Sequence, residues 1–154
     1  MSVFEEIDQL LVGVPNVLTA TVKPDEEMVR EAEQRLGVAK LPDSFRTYLL
    51  RYGHLSFGTI EYLGLTGSPG FEESMPNFVW YTLRRRELLP SGWVLFRNEN
   101  GEVYFCVDTS QTLPSGENPV AVFDVIDQTP CVMAMGFGEF LKADILDYIE
   151  ERSL

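Results

Sequence analysis

The chain has 154 residues, a length suited to one domain with a sizeable core. It is 45% hydrophobic and 12% aromatic, richer in apolar residues than chains that stay disordered. Its net charge of −12 argues against nucleic acid or an anionic membrane as a direct partner, because phosphates are held by Lys and Arg.

No apolar run reaches membrane-spanning length, and the start, Met1-Ser2-Val3-Phe4-Glu5-Glu6, lacks the basic residues of a signal peptide. A cytoplasmic location is expected. Cys106 and Cys131 both lie in apolar, β-like stretches and read as buried thiols. There is no CxxC, no HExxH and a single histidine, so neither metal nor cofactor is expected.

Along the chain, Ser2 and Glu5 suit a capping box, and Phe4, Ile7 and Leu11 form one helix face before Gly13 and Pro15. A second helix is expected from Pro24 to Leu36, with Asp25, Glu26 and Glu27 in its first turn. Its stripe is Met28, Val29, Ala32 and Leu36, and Gly37 stops it. A third follows Pro42, with Phe45, Tyr48, Leu49 and Tyr52 on one face and Gly53 at its end. The period then changes. Leu55 to Leu65 predicts a strand pair or one long bent strand. Thr66 to Met75 predicts a loop.

Pro76 to about Leu88 predicts a helix with Phe78, Val79, Thr82 and Leu83 inside and Arg84-Arg85-Arg86 in the last turn. Strands are expected at Trp93–Phe96, Val103–Val107 and Val120–Val125, the first two joined by the hairpin turn Asn100-Gly101. A strand at Cys131–Met135 then precedes a last helix from Phe137 to about Arg152, with Phe137, Leu141, Ile145, Tyr148 and Ile149 inward. This pattern is α+β: a single, mostly antiparallel (mixed) sheet with helices packed around it, all one domain.

Few constellations carry chemistry. Gly64 to Gly70 follows a strand, but no Lys follows it and Glu72 and Glu73 would repel a phosphate. His54 is the only imidazole, and a lone His after a helix-ending Gly is usually structural or exposed. No catalytic residue is assigned.

Charge distribution is more informative. Between Arg97 and Lys142 there is no basic residue, while Glu99, Glu102, Asp108, Glu117, Asp124, Asp127 and Glu139 all fall there. Tyr52 to Leu83 also lacks Lys and Arg. Such a surface serves solubility or a basic partner equally well. As partner-binding candidates we take Glu72 and Glu73 in the loop, and Glu99, Glu117, Asp124 and Asp127 at turns or strand ends. Trp80 and Tyr81 are secondary candidates, since aromatics dominate binding hot spots. Asp108 is set aside, because Asp before Thr109-Ser110 more often stabilises a turn.

Several segments resemble one family. Leu41-Pro42-Asp43-Ser44-Phe45-Arg46-Thr47-Tyr48-Leu49-Leu50-Arg51-Tyr52-Gly53 is similar to the LPxSFRxYLLxYG helix of the SUKH superfamily, also called Smi/Knr-like. Phe57-Gly58 with Ile60-Glu61-Tyr62-Leu63-Gly64-Leu65 resembles its FG…EILGL strand, and Glu33 its acidic position before the LP motif. Tyr104 to Ser110 with Asn118-Pro119-Val120, and Phe137 to Leu141, resemble its YxCLDTS…PV hairpin and SFxEFL helix start. Gly136 departs from the usual Ser at that helix's N-cap, and Asn98–Gly101 from a more glycine-rich turn.

The resemblance implies helices around a mixed sheet. It also implies an immunity-type protein that neutralises a polymorphic or contact-dependent toxin, plausibly a nuclease, by direct binding. Its motifs, Glu33 and Glu61 among them, imply scaffold rather than contact surface. The rival expectations are a regulatory or scaffold module that binds an endogenous protein or peptide and, last, a small enzyme built on His54.

Overall fold

In a computed structural model, which describes residues 1–67, 71 and 77–153, the elements follow in most places from local sequence. The first helix, α1 (Val3–Val12), starts where Ser2 Oγ accepts the Glu5 N–H, and buries Phe4 and Ile7. A two-residue strand, β1 (Leu18–Thr19), follows. In α2 (Glu26–Leu36) Asp25 is the N-cap and accepts the Met28 N–H at 2.9 Å, so the helix begins two residues after Pro24. Next come α3 (Asp43–Tyr52) and a tight hairpin, β2 (Leu55–Phe57) and β3 (Ile60–Tyr62). Of the two readings of that segment, the strand pair is the one formed.

Asn77 caps α4 (Phe78–Arg84), accepting from the Val79 and Trp80 amides. Then β4 (Trp93–Glu99), β5 (Val103–Asp108), β6 (Val120–Asp124) and β7 (Thr129–Val132) lead to α5 (Phe137–Arg152).

The architecture is α+β, but the strands form two antiparallel sheets, not one. Their orders are β1-β2-β3 and β4-β5-β6-β7. A β-bulge lies where the two sheets meet. The β4–β5 register passes from Leu95↔Cys106 to Arg97↔Phe105 and skips Phe96. The Phe96 carbonyl accepts the Leu63 N–H just after β3, at 2.7 Å. Among the described residues the sheets therefore meet at a single backbone bond instead of a ladder.

Both sheets share one hydrophobic core. Phe137, at the start of α5, reaches rings from three other elements. Its centroid lies 4.9 Å from Phe45 and 5.0 Å from Tyr48 on α3, 6.1 Å from Tyr62 on β3 and 5.0 Å from Phe96 on β4.

Several local expectations fail. The helix expected to run to about Leu88 ends at Arg84, with Arg85 as its C-cap. Leu83 is 42% exposed, because α4 turns Thr82 towards β4, where its hydroxyl accepts the Leu95 N–H at 3.0 Å. The last strand runs Thr129–Val132 rather than Cys131–Met135. It is a sheet edge, so Cys131 is exposed whereas Cys106 is buried. Burial pushes the Cys106 thiol well above its usual range.

Phe137→Ala removes the ring that joins the sheets through the core. It should cost about 3–5 kcal/mol, the usual range for a fully buried Phe truncated to Ala. Urea unfolding followed by the fluorescence of the buried Trp93 measures this; a loss under about 1 kcal/mol would refute the central role of the ring.

Candidate partner-binding surface

Some polar residues of the sequence motifs face inward, whereas Asp43, Thr47, Arg51, Glu61, Ser110 and Glu139 are exposed. Glu33 is buried on α2 and accepts the Leu41 N–H at 2.6 Å. Arg46 Nη1 lies 3.0 Å from the same Glu33 oxygen, and Arg46 Nη2 reaches Glu26 at 2.6 Å. One carboxylate thus holds both the turn before α3 and the arginine on its first turns. Tyr48 is fully buried, its hydroxyl 2.8 Å from the Leu63 carbonyl, and burial raises it far above an ordinary phenol. Gly53 and Gly64 abut. A Cβ on Gly64 would stand 1.7 Å from the Gly53 oxygen, so neither motif glycine can carry a side chain without moving the backbone. Asp108 is buried and accepts from the Ser110 amide and hydroxyl and from the Gln111 amide group, a side-chain-stabilised turn.

A second polar network lies between the sheets and α5. Tyr62 donates its hydroxyl to Asp144 at 2.5 Å, Arg97 Nη1 reaches the same oxygen at 2.7 Å, and Arg97 Nη2 binds Glu99 at 2.5 Å. Burial, with the Asp144 carboxylate beside it, holds Tyr62 protonated far above its usual range.

The sheet register gathers part of the acidic set. Glu99 ends β4 opposite Val103, Val103 pairs with Asp124 at the end of β6, and Asp124 pairs with Thr129. The Val125 N–H donates to the Glu102 carbonyl at 2.8 Å, tying the two turns together. One end of the four-stranded sheet therefore carries Glu99, Glu102, Asp124 and Asp127. Their states differ. Glu99 is partly neutralised by Arg97. Asp124 accepts the Ile126 and Asp127 amides and shapes its own turn. The exposed Glu102 and Asp127 carboxylates have no hydrogen-bond or ion-pair partner among the described residues. Ile126, 71% exposed, projects from the same turn.

Glu117 lies at the opposite end of the sheet and is engaged inside the fold. It accepts from the Ser44 hydroxyl at 2.5 Å and the Ser44 amide at 3.3 Å, and Ser44 Oγ in turn accepts the Gly138 N–H at 3.3 Å. This carboxylate caps α3, whose own N-cap, Pro42, offers no side-chain acceptor. It also accounts for Gly136 at the N-cap of α5: a Cβ there would meet the Glu117 Cβ at 3.0 Å.

Trp80 and Tyr81 are half-exposed on α4, in edge-to-face contact at 4.8 Å. Arg84 stacks on Trp80, and Arg85 lies between Tyr81 and Tyr104, donating to the Tyr104 hydroxyl at 3.0 Å. Glu72 and Glu73 lie outside the described residues. Glu102 and Ile126 were not singled out from the sequence; the signal available was the Asn100-Gly101 turn, which places Glu102 at a hairpin tip.

A cleft of about 510 Å³ opens between the end of α2 and the start of β4, lined by Arg86, Leu89, Trp93 and Thr109 among others. No His or carboxylate lines it. His54 is half-buried, and burial, then Lys23, lowers its pKa. Among the described residues no three His, Cys, Asp or Glu side chains converge as metal ligands, and no helix is long and apolar enough to cross a membrane.

The profile of the SUKH_5 family, described as SMI1-KNR4 cell-wall, matches residues 2–146. A crystal structure of a protein from Pseudomonas syringae pv. tomato superposes with a TM-score of 0.58, covering 88% of this chain and 87% of that one at 20% identity, which is a likeness of fold. No curated protein matches the sequence.

Two outcomes test the inward-facing groups. Arg46→Met leaves the Glu33 carboxylate buried without its cation and should cost about 3–5 kcal/mol, more than Glu33→Gln, which keeps an acceptor for Leu41. Chemical denaturation of both variants gives the order, and the reverse order would refute it. By NMR titration the His54 ring should protonate below the ordinary histidine value of about 6.5. The unfolded chain takes that proton first. The stability His54 contributes is therefore present above about pH 6.5 and lost as pH falls towards its folded-state value.

Proposed function

We propose, from the premise that this chain belongs to the SUKH (SMI1-KNR4) family, that it is an immunity-type protein which neutralises a cognate toxin by binding it directly in the cytoplasm. The toxin is taken to be a basic, nuclease-like domain. The observation that carries the reading is the acidic sheet end, where Glu102 and Asp127 stand exposed beside Asp124 and Glu99, in a segment without Lys or Arg from residue 98 to 141. A nuclease cleft is basic because it binds phosphates, and carboxylates can occupy it in their place. Complementary charge also raises the rate of encounter above the neutral range of about 10⁵–10⁶ M⁻¹s⁻¹. Exposed Ile126 supplies apolar contact within an acidic rim, the composition of a protein interface.

The family description, SMI1-KNR4 cell-wall, favours a second reading: a regulatory or scaffold module for an endogenous protein. The neighbouring gene separates the two. Co-expression with an adjacent toxin should restore growth and co-purify the pair. The double variant Glu102→Lys/Asp127→Lys should then slow association about tenfold or more at low salt. The difference should shrink as salt screens the charges over about 8–10 Å. Full protection with an unchanged association rate would show that the acidity serves solubility alone.

A further inference from the structure

The outer edge of β7 has an uneven supply of hydrogen-bonding groups. β7 is the last strand of its sheet, and all four residues, Thr129–Val132, are exposed. Its inner side is fixed by the register Val122↔Cys131 and Asp124↔Thr129, and by the Met133 N–H, which donates to the Val120 carbonyl at 2.8 Å. Antiparallel alternation therefore turns the backbone groups of Thr129 and Cys131 towards β6, and those of Pro130 and Val132 outward. Pro130 has no N–H, and on the outward register its absence breaks no bond to β6. The open edge of the strand thus offers two carbonyls, from Pro130 and Val132, against one donor, the Val132 N–H.

Charge and shape narrow what can cover it. A second copy is a poor occupant: it would bring the same shortage of donors and a charge of −12. The strands β5 to β7 and their turns carry no Lys or Arg, while Asp124 and Asp127 stand at the Thr129 end. Val132 is 42% exposed and Ile126 71% exposed, so apolar anchors exist beside the edge. The occupant that answers all three features is an extended segment with apolar residues for Val132 and Ile126, and Lys or Arg side chains to supply donors and positive charge.

We propose that β7 binds its partner by adding such a basic, extended segment as a fifth strand to the four-stranded sheet. This rests on the reading of the acidic sheet end as the binding surface. Pro130 then has a double effect: it discourages self-pairing of the edge and leaves a free carbonyl that a basic strand can satisfy.

The test uses the ¹⁵N-labelled full chain and two probes. One is a peptide of alternating Lys and Val, long enough to make a strand of about six residues. The other has the same charge but carries Pro at its central apolar positions, so it cannot pair. The alternating peptide should slow amide hydrogen exchange at Val132 about tenfold or more, and the Pro-interrupted peptide should not. Val132→Pro, which removes the outward donor but no β6 bond, should weaken binding of the alternating peptide about tenfold. Should that variant not fold, exchange in the unaltered protein still decides. If both peptides shift the Asp124 and Asp127 resonances alike without protecting Val132, strand addition is overturned and the acidic surface stands. If neither peptide shifts any resonance of the four-stranded sheet, both readings fail.

Discussion

The ring of Phe137 is the point on which the two sheets depend. Among the described residues they share one backbone hydrogen bond, from Leu63 to Phe96, so backbone bonding alone cannot set their mutual position. That task falls to packing. Phe137 enters from α5 and meets Phe45 and Phe96 edge-to-face, with Tyr48 and Tyr62 completing the shell. Edge-to-face geometry suits aromatic quadrupoles, and each such pair adds about 0.5–1.5 kcal/mol beyond the area it buries. The bulge at Phe96 belongs to the same device. It removes one residue from the β5 ladder and spends its carbonyl on the other sheet.

Around this apolar centre, three carboxylates act as internal ties. Glu33 fixes the turn into α3, Glu117 joins the N-termini of α3 and α5, and Asp144 links β3, β4 and α5 through Tyr62 and Arg97. Glu117 and Asp144 join elements distant in sequence, Glu33 the neighbouring α2 and α3, and among the described residues no buried side-chain nitrogen or oxygen lacks a partner. The buried motif residues are accordingly ties within the fold. The far end of the four-stranded sheet and its outer edge lie outside these ties.

Much of this was legible in the sequence. The caps at Ser2 and Asp25, the stripes of α2 and α3, the Asn100-Gly101 hairpin and the span of α5 follow from local rules. The division into two sheets was not legible, because a bulge at Phe96 leaves the apolar run Trp93–Phe96 looking like any buried strand. Apolar neighbours do not bury Cys131, because a strand's position in the sheet order decides exposure. Local pattern places both Leu83 and Thr82 inward; the structure keeps only Thr82, whose hydroxyl has a backbone partner there. The acidic candidates divide for a similar reason. Glu99, Asp124 and Asp127 are brought together by register, whereas Glu117 is taken up by Ser44, a residue 73 positions away that no local pattern could supply.

The packing of α5 against α1, with Lys142 paired to Glu6, has a consequence for timing. The core ring, the trans-acting cap on α3 and the Arg97 network all wait for residues beyond 116. A ribosome adding roughly 5–20 residues per second delivers these parts after α1 to α4. Closing the core joins residues far apart in sequence, and such non-local closure is slower than the formation of local contacts.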